Sequence, residues 1–327
     1  MNKKKIISFF VFLILVIWAI FYIKSNFNDF KHVAMVSPLY IIPLFILGSL
    51  FLYINGLILK YLTEPFNIFL NNKEGFSLSI LTTLGNYITP FRAGSGIRAV
   101  YLKKRYNFSY SAFLCTLLAI YLLIFLVNSF IGLASLFLLY VENGVFNFSI
   151  FTLFFSIFTL LLFITIFNFD YKDTKYRIIN KLFKVLNHWK IIKSNIKIIS
   201  IISILVFFQS LVISLMMFLE FIIFGFKISF VSSLFLSVIF TLSLLISITP
   251  GALGIKETLT VFSAKLIGIS PLQTLPVALL HSIIFIIIVF LLSPFCSYIL
   301  LGKFFRGTNN IKIIKEKVHE ENPKNNF

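Results

Sequence analysis

Charged side chains are scarce in this sequence. Asp, Glu, Lys and Arg make up only 12% of its 327 residues, against about a quarter in a soluble domain. Hydrophobic residues reach 59%, with 43 Phe, against about 45–50% in the soluble case. That balance excludes an ordinary soluble fold. Acidic residues are scarcer still, 11 against 29 Lys and Arg. In a soluble protein the net charge of +18 would suggest nucleic acid. Here the basic residues lie in a few loops and the tail, between apolar runs, so they read as topology and anionic lipid headgroups, with no nucleic acid. There are two cysteines, Cys115 and Cys296, both in apolar runs, which excludes a disulfide framework. The four His are scattered, and no metal-ligand cluster, Walker loop, paired Asp or Ser/His/Asp order stands out. No metal, no cofactor and no catalytic residue is expected. No A-x-A site follows the first apolar run, so a cleaved signal peptide is disfavoured against an uncleaved span.

Long apolar runs are what the sequence does have. Six reach the roughly 20 residues that a crossing helix needs: 6–23, 39–59, 110–140, 149–169, 198–224 and 272–301. Lys3, Lys4 and Lys5 place the N-terminus in the cytoplasm. The basic loop 170–197, the cluster Lys103, Lys104 and Arg105, and the tail from Lys303 belong on the same side. The turns near 142–147 and 225–227 carry little positive charge and suit the outside. Two further apolar stretches, 76–102 and 228–268, are interrupted by Pro and Gly. For the basic segments to stay inside, 76–102 enters and returns from the cytoplasm, and 228–268 enters and returns from outside.

Both stretches carry T-P-x-x-x-G, as Thr89, Pro90, Gly94 and as Thr249, Pro250, Gly254, at a constant offset of 160 residues. Their opposite orientations predict an inverted repeat, in which broken helices meet near the midplane. The plainer alternative is two ordinary spans kinked by Pro and Gly. The expected fold class is therefore an all-α polytopic integral membrane protein. It has about six full spans plus two re-entrant hairpins broken at Pro90, Gly94, Pro250, Gly251 and Gly254. The predicted organisation is an anchor span and outer loop (1–38), a first half (39–169), a basic cytoplasmic loop (170–197), a second half (198–302) and a basic tail (303–327). In the loop, Ile178, Ile179, Leu182, Val185, Leu186, Trp189 and Ile192 fall at helical spacing opposite Lys and Arg. Segment 172–197 then lies on anionic inner-leaflet lipids, or is a solvated loop. The tail beyond Gly307 is polar and expected to be partly disordered.

A charge at membrane depth costs about 2.5–3.5 kcal/mol on insertion scales. Such residues face cavities, ligands or protons. Arg92 and Arg98 in the first hairpin, and Lys256 and Glu257 in the second, are the leading substrate-binding candidates. Asn86 and Thr89 on the entering helix help to line the site. Broken-helix N-termini and planar guanidinium groups both suit an anion such as phosphate. Adjacent Lys256 and Glu257 point to different faces, so Glu257 is free to meet an arginine of the other hairpin. Glu220, His281 and Ser95 are secondary candidates. Glu220 sits near the outer end of its span, with interface exposure as the alternative. His281 reads first as a helix–helix hydrogen bond. Arg98 and Lys265 have snorkelling as their alternative.

At "TPFRAGSGIRAVYLKKRYNFSYSAFL" and "TPGALGIKETLTVFSAKLIGISPLQTLPVALLHSII" the sequence resembles the lysylphosphatidylglycerol synthase transmembrane, or flippase-like, family. Its usual motifs are roughly P-x-R-x-G-E-x-x-R and P-G-G-x-G-x-R-E. Pro90, Arg92, Gly94 and Arg98 match the first, and Pro250, Gly251, Gly254 and Glu257 match the second. Ser95 stands where Glu is common, Ala252 replaces Gly and Lys256 replaces Arg. A Glu-Arg pair often seen in the following helix is replaced by Ala119-Ile120-Tyr121. The resemblance implies lipid handling. The expected activity is translocation of a lipid with an anionic headgroup between leaflets of the plasma membrane. Its cargo is a membrane phospholipid or a polyprenyl-phosphate lipid. The alternatives are a membrane-embedded aminoacyl- or glycosyl-transferase, alone or with a separate soluble transferase, and an ion-coupled solute transporter. The chain lacks a soluble segment large enough for a transferase site, which argues against enzymatic activity in isolation. A homo-oligomer is compatible with all three readings.

Overall fold

The computed structural model describes residues 38–144, 146–167 and 177–321, with backbone alone at 38, 177–179, 181, 182, 184 and 303–321. The expected first span, 6–23, lies outside the described residues. The described chain is all helical: α1 (Pro38–Thr63), α2 (Asn72–Ile88), α3 (Ser95–Tyr106), α4 (Tyr110–Asn143), α5 (Phe148–Ile166), α6 (Arg177–Lys193), α7 (Ile196–Ile223), α8 (Phe230–Leu242), α9 (Ile255–Leu266) and α10 (Pro271–Glu321). Local chemistry sets the boundaries. Asn71, Ser109, Asn147, Asn195 and Ser229 each accept a hydrogen bond from an amide in the first turn of the helix that follows. Asn107 and Gly144 end α3 and α4 in left-handed conformation.

Among the described residues five helices are long and apolar enough to cross a bilayer: Leu39–Phe66, Tyr110–Asn143, Phe148–Ile166, Ile196–Ile223 and Pro271–Gly302. They coincide with five of the six runs expected from sequence, and the protein is a multi-pass membrane protein. By contrast α2, α3, α8 and α9 hold 17, 12, 13 and 12 residues. At 1.5 Å per residue they reach only about 18–26 Å, short of a hydrocarbon core about 30 Å thick. Each pair, α2 with α3 and α8 with α9, packs together as a hairpin.

The order span, hairpin, long helix occurs twice, as α1–α4 and as α7–α10. The contacts repeat with it. α1 packs on α2 as α7 packs on α8, and α1 packs on α4 as α7 packs on α10. The halves interlock, because α2 lies against α10 and α8 lies against α4. α5 stands outside this pattern. It packs on α4, where Phe154 fills the space over Gly132, and Ile150 and Phe154 are its buried residues. Most of its remaining surface is apolar and faces outward, as a lipid-exposed helix must.

The helix expected in the basic loop is present as α6, with a difference in how its apolar face is used. Helix α6 turns part of its apolar face to protein: Val185 and Ile192 are buried, and Trp189 packs on the main core cluster. Its last turn is tied down as well, since Lys193 Nζ donates to the carbonyls of Ile166 and Phe167 at 2.5 and 2.8 Å, capping α5. The tail also differs. α10 continues through Gly307 to Glu321.

Candidate functional site

The two Thr-Pro segments adopt the same turn. In Pro90–Ala93, Phe91 and Arg92 have φ of 54° and 53°, and the Ala93 amide bonds the Pro90 carbonyl at 3.2 Å. In Pro250–Leu253, Gly251 and Ala252 have φ of 61° and 54°, and the Leu253 amide bonds the Pro250 carbonyl at 3.1 Å. Two consecutive left-handed residues after proline make a type I′ pattern. Three of the four are not glycine, and each costs roughly 1–3 kcal/mol. Proline stops the entering helix at both places. The turns also touch each other, the Phe91 amide lying 3.4 Å from the Ile248 carbonyl.

Glycine brings the pieces close. A Cβ on Gly94 would fall 2.3 Å from the Thr82 carbonyl and 2.4 Å from the Asn86 amide, so α2 and α3 meet backbone to backbone at their tips. A Cβ on Gly251 would fall 2.3 Å from the Tyr87 ring, which joins the second turn to the first hairpin. At its base the first hairpin is clamped by Glu74. This buried carboxylate accepts from Tyr101 Oη at 2.5 Å and Tyr106 Oη at 2.9 Å, and lies 3.1 Å from Arg105 Nε.

Where the tips meet there is a cavity of about 150 Å³. Arg92, Arg98 and Lys256 line it, with Asn86, Ser95 and His281. Arg98 is buried, not snorkelling, and its Nε donates to Thr82 Oγ1 at 2.9 Å. The Arg92 guanidinium lies over the Tyr121 ring at 5.3 Å, and one of its terminal nitrogens has no hydrogen-bond partner among the described residues. Lys256 Nζ sits between the Tyr87 and Phe240 rings, at 5.4 and 5.0 Å. Both contacts have cation–π geometry. Among the described residues the lining holds three cationic side chains and no carboxylate.

The acids stand behind the wall. Glu257 accepts from the Gly254 amide at 2.7 Å and from Ser282 Oγ, and lies 4.0 Å from Lys256 Nζ. It therefore meets its own neighbour instead of an arginine of the other hairpin. The flexible lysine stem folds back across the angle that separates adjacent helical positions. Glu220 is fully buried, so interface exposure is excluded. His281 Nδ1 lies 3.0 and 3.1 Å from its two oxygens, the helix–helix hydrogen bond expected of that histidine. Thr89 stays out of the lining and donates to the Gly85 carbonyl at 2.6 Å. Lys265 is exposed.

Over residues 5–293 the chain matches the family described as "Lysylphosphatidylglycerol synthase TM region". The protein belongs to this family. That membership makes it a membrane protein related to lysylphosphatidylglycerol synthesis or flipping, in a phospholipid setting. No curated protein and no solved structure matches the chain.

The transmembrane region of this family member also contains site residues that sequence reasoning passed over. Tyr87, Tyr121 and Phe240 supply the aromatic faces for Lys256 and Arg92. Asn128 and Gln209 add amides to the lining from α4 and α7. In a chain with 43 Phe and 13 Tyr, an aromatic near a cation carries no distinguishing signal. Asn128 and Gln209 are polar residues deep in apolar runs, and that signal was legible.

Proposed function

We propose that this protein moves a lipid with an anionic, phosphate-bearing headgroup between the two leaflets. An aminoacylated phosphatidylglycerol and a polyprenyl-phosphate-linked sugar are the two cargo classes considered. One observation carries the reading: among the described residues, three cationic side chains and no carboxylate line a cavity formed where two hairpin tips meet. Arg98 is buried with no acid partner among the described residues, which is costly, and an anionic guest offsets that cost. Arg92 presents a guanidinium nitrogen with no partner among the described residues, suited to a phosphate oxygen. Arg98 and Lys256 supply the remaining positive field, and Asn86 and Ser95 supply polar contacts to the rest of the headgroup. Apolar residues exposed beside the cavity, Phe91 and Ile248 among them, leave a greasy surface for the acyl chains.

In this reading the hairpins are re-entrant from opposite sides, the halves form an inverted repeat, and the basic segments are cytoplasmic at the plasma membrane. The four short hairpin helices and the duplicated turn support it. Alternating access then follows from one half rocking against the other about the fixed site.

The test is translocation of a fluorescent phosphatidylglycerol in proteoliposomes, read by dithionite quenching of the outer leaflet. Wild type equilibrates the probe, and Arg92→Ala and Lys256→Met do so at least about tenfold more slowly, as loss of a charge-assisted contact implies. Equal rates in wild type and variants would sink the site. The family's name includes a synthase, which keeps a transferase reading, with or without a soluble partner, as the second one. New lipid product after incubation with charged tRNA or a lipid-linked sugar would favour it.

A further inference from the structure

The Glu220–His281 pair is a buried ionisable pair that the proposed headgroup contacts leave unused. Both side chains are fully buried, from α7 and α10. An ionised carboxylate only accepts hydrogen bonds. Nδ1 lies 3.0 and 3.1 Å from the two Glu220 oxygens, and the tautomer with its hydrogen on Nδ1 is the one that satisfies a carboxylate there. Nε2 is then the nitrogen with a lone pair to offer. It is buried, has no hydrogen-bond partner among the described residues, and belongs to a residue that lines the cavity. The ring is held in place by Phe240 and Phe285, at centroid distances of 4.7 and 5.1 Å. Helix–helix adhesion alone needs only the Nδ1 contact.

We propose that His281, backed by Glu220, is a proton-binding site that couples proton movement to lipid movement through the cavity. The inference rests on the lipid-translocation reading above. Imidazole is the side chain suited to taking up and releasing a proton under physiological conditions. The proton binds the Nε2 lone pair from the cavity side, and Glu220 stays ionised as the counter-charge. The resulting Nε2–H donates to an oxygen of the anionic headgroup.

The charges around the site set the sign of the coupling. From α3, its preceding turn and α9, Arg92, Arg98 and Lys256 place positive charge at the cavity wall and oppose protonation. Glu220 from α7, and Glu257 beside Lys256, favour it. Tyr87 of α2 and Tyr121 of α4 are the remaining titratable groups of the lining, while α1 and α8 contribute Phe51, Asn55 and Phe240, which do not titrate. An arriving anion offsets part of the positive field and so favours proton uptake. The anion and the proton therefore load together and leave together. Carrying one proton with a singly charged headgroup also cancels the work of moving a charge across the membrane potential, about 2.3 kcal/mol per 100 mV.

The experiment uses proteoliposomes holding fluorescent phosphatidylglycerol and a lumenal pH dye. The steady-state ratio of the lipid between leaflets and the lumenal pH are read together under an imposed gradient of one pH unit. With one proton per lipid, the gradient shifts the wild-type leaflet ratio by up to about tenfold, and lipid movement brings a matching lumenal pH change. His281→Gln brings the ratio back to that seen without a gradient. Glu220→Gln, which keeps an acceptor for Nδ1 and removes the counter-charge, does the same. Wild-type lipid movement that ignores the gradient, or an undiminished response in both variants, overturns the coupling and leaves lipid translocation standing. Absence of lipid movement in the wild type overturns both.

Discussion

Arg92 sits in the first Thr-Pro turn and Lys256 in the first turn of α9, yet both rest on aromatic faces at the edge of one cavity. Arginine at such a stacked site is not interchangeable with lysine, because a compact ammonium lacks the planar fork. Arg92→Lys is therefore expected to leave lipid translocation close to the Arg92→Ala level, measured by the same quenching assay. Glu257 has a different role at this scale. Its carboxylate serves the Gly254 amide, Ser282 and Lys256 at once. Removing it leaves a buried ammonium without its partner, a loss of about 3–5 kcal/mol for a buried pair. Glu257→Ala should lower the melting temperature in detergent clearly more than Lys256→Met does. The reverse order would show that the carboxylate is not what holds this turn.

At the scale of elements, the hairpins depend on backbone contact. Gly94 and Gly96 stand two residues apart and separate the effects of close approach from those of composition. A methyl group on Gly94 meets two backbone atoms of α2 inside 2.5 Å, whereas one on Gly96 meets nothing within 4 Å. Gly94→Ala should splay the first hairpin, lowering both melting temperature and translocation. Gly96→Ala should stay within about 0.5 kcal/mol of wild type. In the second hairpin Gly251 faces two penalties, a left-handed φ of 61° and the Tyr87 ring 2.3 Å from a Cβ. Gly251→Ala is expected to uncouple the tips and slow translocation even where the protein still folds, read by thermal melting beside the transport assay.

For the whole molecule, the repeated order of span, hairpin and long helix fixes what the topology must look like if the halves are inverted. Cys115 and Cys296 are buried, so membrane-impermeant maleimides should find little background. Lys104→Cys, at the end of the first hairpin, should label only from the cytoplasmic side. Lys227→Cys, at the entry to the second, should label only from outside. Labelling of both from one side would remove the inverted repeat and the alternating-access reading with it.

The sequence by itself determined the membrane class, the five described spans, and the places where two hairpins break. These follow from local quantities: an apolar run of sufficient length, a proline that cannot continue a helix, and a Thr-Pro pattern met twice. It also picked out Arg92, Arg98, Lys256 and His281, because a polar group in an apolar run must be satisfied somewhere. Only the tertiary structure decided who satisfies whom. Glu257 turned to Lys256 and Ser282 instead of an arginine, and Glu220 to His281 instead of solvent. Thr89 turned to its own helix, and Tyr87, Tyr121 and Phe240 became the faces of the cavity. Those partners are 61 residues apart in Glu220–His281 and on different helices in most of the rest. Pairing at that separation is set by how the two halves interlock, which no local pattern of residues encodes.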